Sequence, residues 1–264
     1  MPGFDELAKT TIGFLYKRLE RAKRSSRAHF WRGLLCLIVL APIGFALGWL
    51  VNLMALWHAS TATLSVALLA QIIATKRTWK TSETMAKSAD SAERRCAIET
   101  LFTAFSRSLM PSLLLFLVGG FALLFVFRLA LAAHDLSVAS AKDSAFLRSF
   151  VSLHRVLAAP GELLAILCAL FASVLMPQAY VAQSLKTLHA TKCKLHDGTL
   201  AVVAGAFTLS LRATKPGGQS AWIGPKNGTA KIDTAACKHA LIVALVAFAV
   251  ALAFLLVLLV AAIK

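Results

Sequence analysis

The fold is decided by residues 97–135, which read AIETLFTAFSRSLMPSLLLFLVGGFALLFVFRLALAAHD. The stretch opens as a polar helical segment carrying Glu99 and becomes apolar from residue 109 to residue 133. About 20 apolar residues are enough to cross the hydrocarbon core of a bilayer. The sequence therefore predicts a transmembrane helix with the pair Gly119-Gly120 inside it. Its polar entrance is the first place to look for a chemical site.

The composition of the whole chain is that of an integral membrane protein. Hydrophobic residues make up 58% of the 264 positions, above the share typical of soluble domains. The net charge of +16 indicates basic cytoplasmic loops and contact with anionic lipids. No basic segment carries a nucleic-acid-binding module, so nucleic acid is not an expected partner. The five cysteines form no CxxC pair and are predicted to be reduced and structural.

We predict an all-α integral membrane fold in one domain, residues 1–264, with about five transmembrane helices. The predicted spans are 33–51, 53–74, 109–133, 157–182 and 240–263, and a short turn around Asn52 separates the first two. Residues 75–108 and 184–239 are polar and are predicted to be cytoplasmic. The second polar region contains one apolar run, 199–211, which is too short to span and predicts a re-entrant or buried helix.

The first 32 residues predict a basic amphipathic helix, centred on residues 4–24, that lies in the headgroup region. A role in docking a partner is the alternative to simple anchoring. The flanks of the five spans hold eight, zero, seven, three, eight and one Lys or Arg residues in chain order. Because the rich and poor flanks alternate, the positive-inside rule predicts a cytoplasmic N-terminus and an external C-terminus, in a bacterial-type inner membrane.

Several ionisable residues have both a functional and a structural interpretation. His134-Asp135 follows the third span and is either a proton-handling or metal-binding pair or a helix cap. Glu162 lies near the start of the predicted fourth span. It is either a functional residue or an acidic residue that stabilises the N-terminus of the helix through the helix dipole. His189, Cys193 and His196 have metal-ligand spacing but no fourth ligand, so we predict no metal site.

Three motifs carry a resemblance to a known family. Residues 97–128 contain AIE, Leu101, Ser106, GG and Arg128, residues 12–21 read IGFLYKRLER, and residues 222–224 read WIG. Taken in chain order, the motifs resemble those of the cobalamin-biosynthesis membrane family, whose type member is adenosylcobinamide-phosphate synthase. The resemblance covers nearly the whole chain.

The resemblance implies ATP- and Mg²⁺-dependent amide bond formation between a corrinoid carboxylate and an aminopropanol or its phosphate. It implies catalytic roles for Glu99, Ser106 and Arg128, and cofactor binding by Trp222 and Gly224. The chain departs from the family pattern at three acidic motifs. Thr103-Ala104 stands for Glu-Asn, Arg107-Ser108 for Asp-Gly, and Leu153-His154 for Asp-Asp.

Catalytic groups that hold a metal act as a unit, and losing several of them removes activity. We therefore expect a catalytically degenerate family member without a cofactor, which serves as an accessory or structural subunit among other membrane proteins. The alternative is an active synthase with rearranged acidic residues that uses ATP and Mg²⁺. A small transporter is disfavoured, because internal repeats and paired broken helices are missing from the sequence.

Overall fold

The computed structural model describes residues 4–19, 25–57, 75–140, 144–191, 195–214 and 220–263. The helices in chain order are α1 (Phe4–Leu19), α2 (Ser26–Trp57), α3 (Thr75–Ala86), α4 (Ser91–Ala104), a π-helical segment (Phe105–Leu109), α5 (Met110–Ala139), α6 (Arg148–Val174), α7 (Val181–Ala190), α8 (Leu195–Ala206) and α9 (Thr234–Ile263). Strands β1 (Leu211–Thr214) and β2 (Ser220–Ile223) pair between α8 and α9.

The predicted class, an all-α integral membrane protein, is confirmed. Four helical stretches in the described part of the chain are long and apolar enough to cross a membrane: Ser26–Met54, Ser91–Ala139, Arg148–Val174 and Thr234–Leu258. Helix α8 begins within the polar region and is buried from residue 197 to residue 206, in agreement with the predicted buried helix. The strand β1, which takes up the end of the same apolar run, was not predicted.

Some predicted boundaries are wrong. Helix α2 continues through Asn52 to Trp57, because a single polar residue among apolar helix formers does not break a helix. Residues 58–74 of the predicted second span lie outside the described residues. The predicted fourth span is displaced: α6 begins at Arg148 and ends at Val174, shortly before Pro177, and proline disfavours helical backbone in the residue that precedes it.

The chain divides into two compact units. Unit 1 comprises residues 1–74, 112–158 and 214–219, and unit 2 comprises residues 75–111, 159–213 and 220–264.

In unit 1, the amphipathic helix α1 packs on the protein's own core. Its residues Ala8 and Ile12 are buried against a cluster that includes Phe146 and Phe150. Lys9 makes a 2.7 Å ion pair with Asp135. The predicted helix is therefore present, and part of its apolar face meets protein.

Unit 1 also contains a break within α5. Gly119 and Gly120 have non-helical backbone angles. Gly120 has φ of 60° and ψ of −147°, a backbone conformation that residues other than glycine rarely adopt. The break frees the backbone N–H of Phe121, which donates to Oδ1 of Asn52 at 3.1 Å. One turn earlier on α2, a Cβ added at Gly48 would meet the backbone of Phe121. Asn52 thus satisfies a polar group inside an apolar helix pair.

In unit 2, helices α3 and α4 form a polar pair that leads into the π-helical segment. Asp90 caps α4, accepting the backbone N–H of Ala92 at 3.0 Å. Glu83 and Lys87, four residues apart at the end of α3, form a 2.7 Å ion pair, and the hydrogen bond within it holds the pKa of the exposed Glu83 carboxyl below the usual value. Residues 75–108 are therefore helical, apart from the turn between α3 and α4.

The segment before α9 is tied to α4 by arginine. Arg94 donates to the carbonyl oxygens of Ser88 at 2.7 Å, of Ala89 at 3.1 Å and of Ile232 at 2.9 Å. The neighbouring Arg95 donates to the carbonyl oxygen of Ala230 at 3.4 Å. These bonds place the start of an apolar helix beside the polar helix α4.

Candidate functional site

Glu99, the acidic residue of the family-like motif at 97–128, belongs to a small cluster of charged and aromatic side chains in unit 2. We call this group the Trp222 cluster; it consists of Arg95, Glu99, Arg212 and Trp222. Arg95 and Glu99 are four residues apart on α4 and so lie on one face of the helix. Arg95 Nε lies 3.6 Å from Oε1 of Glu99. The backbone N–H of Arg212, on β1, donates a short hydrogen bond to the same carboxylate oxygen.

The strands β1 and β2 present the rest of the cluster because their side chains alternate between two faces. On β1, Leu211 and Ala213 are buried and Arg212 between them is exposed. On β2, Ile223 is buried and its neighbour Trp222 is exposed. The guanidinium carbons of Arg212 and Arg95 lie 4.8 Å and 5.2 Å from the Trp222 ring centroid. Both distances are within the range of cation–π attraction.

Gly224 follows Trp222 at a point of close backbone approach. A Cβ added there would meet the carbonyl oxygen of Leu209. The predicted cofactor-binding residues are therefore neighbours of different kinds: Trp222 presents an open ring, and Gly224 permits the chain to pass beside Leu209.

A second polar arrangement, the Arg107 site, is buried in the π-helical segment of unit 2. Nη2 of Arg107 lies 3.3 Å from Oδ1 of Asp197, near the N-terminus of α8, and both side chains are buried. Ser106 is fully buried beside it and donates a weak hydrogen bond to the carbonyl oxygen of Thr103 at 3.4 Å. Thr199 is also fully buried, and its hydroxyl has no hydrogen-bond partner among the described residues.

Arg107 and Glu99 contact different partners, although only eight residues separate them in the chain. Residues 105–109 are π-helical, so the backbone turns more widely there than the 3.6 residues per turn of an α-helix. Glu99 contacts Arg95 and Arg212, and Arg107 contacts Asp197 instead.

The remaining predicted residues lie inside helices. Arg128, one of the predicted catalytic residues, is buried in α5 of unit 1. Glu162 is buried in α6 of unit 2, and α6 begins at Arg148, so the helix N-terminus does not explain this carboxyl. Cys193 lies outside the described residues, and the described part of the chain contains no group of three potential metal ligands.

His134 and Asp135 lie within α5, which continues to Ala139, and not in a loop or cap. The His134 ring stacks on that of His154 with centroids 4.7 Å apart, and His154 stacks on Phe127 at 5.4 Å. His154 was known from the sequence only as a replaced family acid.

Sequence reasoning missed Arg95, Arg212 and Asp197 as members of these sites. Arg95 carried a usable signal, since it precedes Glu99 by four residues in a helical segment. A second signal was present around Arg212 and Trp222. Residues 215–219 read KPGGQ, a turn composition between two short strand-like segments, and such a pattern predicts a β-hairpin. No known family model, curated protein or solved structure matches this chain.

Proposed function

We propose that this protein is a divergent, non-catalytic relative of the cobalamin-biosynthesis membrane family. In this proposal it serves as an accessory or structural subunit of a membrane complex. The observation that carries the proposal is the ion pair between Arg107 and Asp197. Arg107 occupies the place of a family acid, and here a buried cation with its own counter-ion fills that place.

The state of Glu99 supports the same proposal. Its carboxylate accepts the backbone N–H of Arg212 and faces the guanidinium of Arg95. A Mg²⁺ ion bound with phosphates needs one or two protein carboxylates that are open to it. In this chain a metal at Glu99 would have to displace a hydrogen bond and approach two cations.

The membrane environment completes the proposal. The alternation of basic flanks favours a bacterial-type inner membrane with a cytoplasmic N-terminus. The proposed partners are anionic lipids and other membrane subunits. The broad exposed apolar side of α2 is compatible with contact to either lipid or protein; its residues include Leu35, Ile38, Val39, Leu47 and Trp49.

The proposal is tested by turnover. Full-length protein in lipid nanodiscs, supplied with ATP, Mg²⁺, a corrinoid acid and aminopropanol phosphate, should form no amide above background. Product that appears with the parent protein and disappears with Glu99→Gln would contradict the proposal and favour the active synthase. The buried ionisable Glu162 is the observation that favours this second candidate, because such residues within membrane helices are commonly functional.

The subunit role needs a separate test. Chemical crosslinking in intact membranes, followed by purification in mild detergent, should recover a second membrane protein at constant stoichiometry. Recovery of the isolated chain alone, under conditions that preserve a known membrane complex, would contradict the subunit role while leaving the loss of catalysis untouched.

A further inference from the structure

The Trp222 cluster contains an aromatic ring that is unusually open for its size. Trp222 is 53% exposed although two guanidiniums lie within 5.2 Å of its ring centroid. The two cations hold the ring in one orientation while leaving part of it accessible. A fixed, exposed tryptophan with arginine beside it is a composition typical of binding hot spots.

The two arginines of the cluster differ in how far they are already engaged. Arg95 faces the carboxylate of Glu99 and donates to the carbonyl oxygen of Ala230. Arg212 donates its backbone N–H to Glu99 and attracts that carboxylate electrostatically, but its exposed guanidinium donates no hydrogen bond to another described residue. The five N–H groups of its guanidinium are therefore available to a ligand, while the Trp222 ring orients the guanidinium plane.

The local charge favours an anion. The cluster contains the two guanidiniums of Arg95 and Arg212 but only one carboxylate, that of Glu99, which attracts both, so the cluster carries an excess of positive charge. The exposed Lys231 follows Ala230, whose carbonyl oxygen Arg95 binds, and so adds a second cation close by in the chain.

The cluster also lies close to the start of a membrane-spanning helix. Arg94 and Arg95 hold the carbonyl oxygens of Ile232 and Ala230, and α9 begins at Thr234. The continuous apolar run of α9 starts at residue 240, about 9 Å farther along the helix axis. The polar zone of each leaflet is roughly 5–8 Å thick, so a helix that crosses the membrane from residue 240 would have its first turn close to the lipid headgroups.

We propose that the Trp222 cluster binds a phosphate group through the guanidinium of Arg212. Arginine donates two parallel hydrogen bonds to phosphate oxygens, and tryptophan is favoured at the membrane interface. The phosphate belongs either to an anionic phospholipid or to a phosphorylated solute. This inference does not depend on the proposed loss of catalysis, because it concerns binding alone.

The test compares two phosphate sources with the full-length protein. Retention of phosphatidylglycerol relative to phosphatidylcholine is measured by native mass spectrometry from mild detergent. Binding of inorganic pyrophosphate is measured by calorimetry in phosphatidylcholine nanodiscs. Arg212→Gln removes the guanidinium but keeps the backbone N–H that Glu99 accepts. We expect it to weaken at least one of the two interactions roughly tenfold, the effect of losing a charge-assisted bidentate contact.

Two variants distinguish a site from general basicity. Lys186→Gln removes the same charge from an exposed position on α7 in the same unit and should leave both interactions unchanged. Arg212→Lys keeps the charge but loses the planar guanidinium that can donate two parallel hydrogen bonds, so its affinity for phosphate should fall several-fold. A loss confined to phosphatidylglycerol identifies a lipid headgroup, and a loss confined to pyrophosphate identifies a solute. Equal losses in Arg212→Gln and Lys186→Gln, or none in either, would overturn the proposal.

Discussion

Two arginine–carboxylate pairs in unit 2 differ chiefly in their surroundings. Arg107 and Asp197 are 3.3 Å apart, with side-chain exposures of 9% and 5%. Arg95 and Glu99 are 3.6 Å apart, with exposures of 18% and 16%. The first pair connects the π-helical segment to α8, and the second joins two positions of α4 beside the hairpin.

The comparison shows why one pair is expected to matter for folding and the other for binding. A buried charge without its partner is costly, whereas a partly exposed charge recovers much of its hydration in water. Replacing either Arg107 or Asp197 alone is therefore expected to destabilise the fold. The Trp222 cluster keeps the guanidinium of Arg212 exposed, and the charges of Arg95 and Glu99 partly exposed.

The largest expected effect is the loss of Arg107. Arg107→Met removes the arginine counter-ion of the buried Asp197 carboxylate, which keeps, among the described residues, only the contact of its Oδ2 with Nε2 of His196 at 3.4 Å. We expect the free energy of unfolding to fall by about 3–5 kcal/mol, the usual cost of breaking a buried pair from one side. Titration with sodium dodecyl sulfate in mixed micelles, followed by circular dichroism, measures this change.

A double variant provides the control for that prediction. Arg107→Met combined with Asp197→Leu removes both charges and should recover most of the lost stability, because apolar pairs of similar volume often replace buried ion pairs at little cost. If the double variant is as unstable as the single one, packing around the π-helical segment and not the unpaired charge explains the loss.

The next effect concerns the break in α5, an uncharged feature of unit 1 that depends on the backbone conformation of Gly120. In Gly120→Ala, the added Cβ would take a disfavoured backbone region and meet the side chain of Asn52. We expect a loss of about 1–3 kcal/mol in the free energy of unfolding. Gly119→Ala is the comparison variant; its φ of −135° is allowed to alanine, and the atoms nearest its added Cβ belong to the Leu123 side chain, which has to shift. Equal effects would contradict a specific role for the backbone at Gly120.

The apolar part of the fold followed from the sequence because the hydrocarbon core imposes length and composition. The helices containing residues 109–133 and 240–263 were predicted for that reason. Boundaries failed where one polar residue was given too much weight, as at Asn52. That residue accepts a backbone N–H from α5, a tertiary contact that no local pattern contains.

The candidate sites were only half predictable. Glu99 and Trp222 were named from family-like motifs, and the structure brings them together through Arg95 and Arg212. Asp197 was not named, because its partner lies 90 positions away in the chain and their contact depends on a π-helical register. Charge pairs between distant segments leave no periodic signal in a single sequence.

A smaller effect is expected at Glu99. Glu99→Gln keeps an acceptor for the backbone N–H of Arg212 but removes the attraction to Arg95. Because both side chains are partly exposed, we expect a loss of at most about 1 kcal/mol. Glu99→Ala also removes the acceptor and should cost more. Thermal unfolding in detergent measures both, and a Gln variant as damaging as Arg107→Met would erase the distinction between the two pairs.

The smallest effect is expected for Arg212→Gln. Its guanidinium is exposed and contacts the face of Trp222, a type of contact that contributes about 0.5–1 kcal/mol at exposed sites. The backbone N–H that binds Glu99 is unchanged, and the glutamine amide can still cover part of the ring. The free energy of unfolding should therefore shift by less than about 0.5 kcal/mol, within the range of ordinary surface substitutions. A loss above about 2 kcal/mol would show that the Trp222 cluster stabilises the fold in the manner of the Arg107 site. An unchanged stability means that any loss of phosphate binding in this variant reports on the ligand contact itself, since the hairpin that presents Trp222 remains folded.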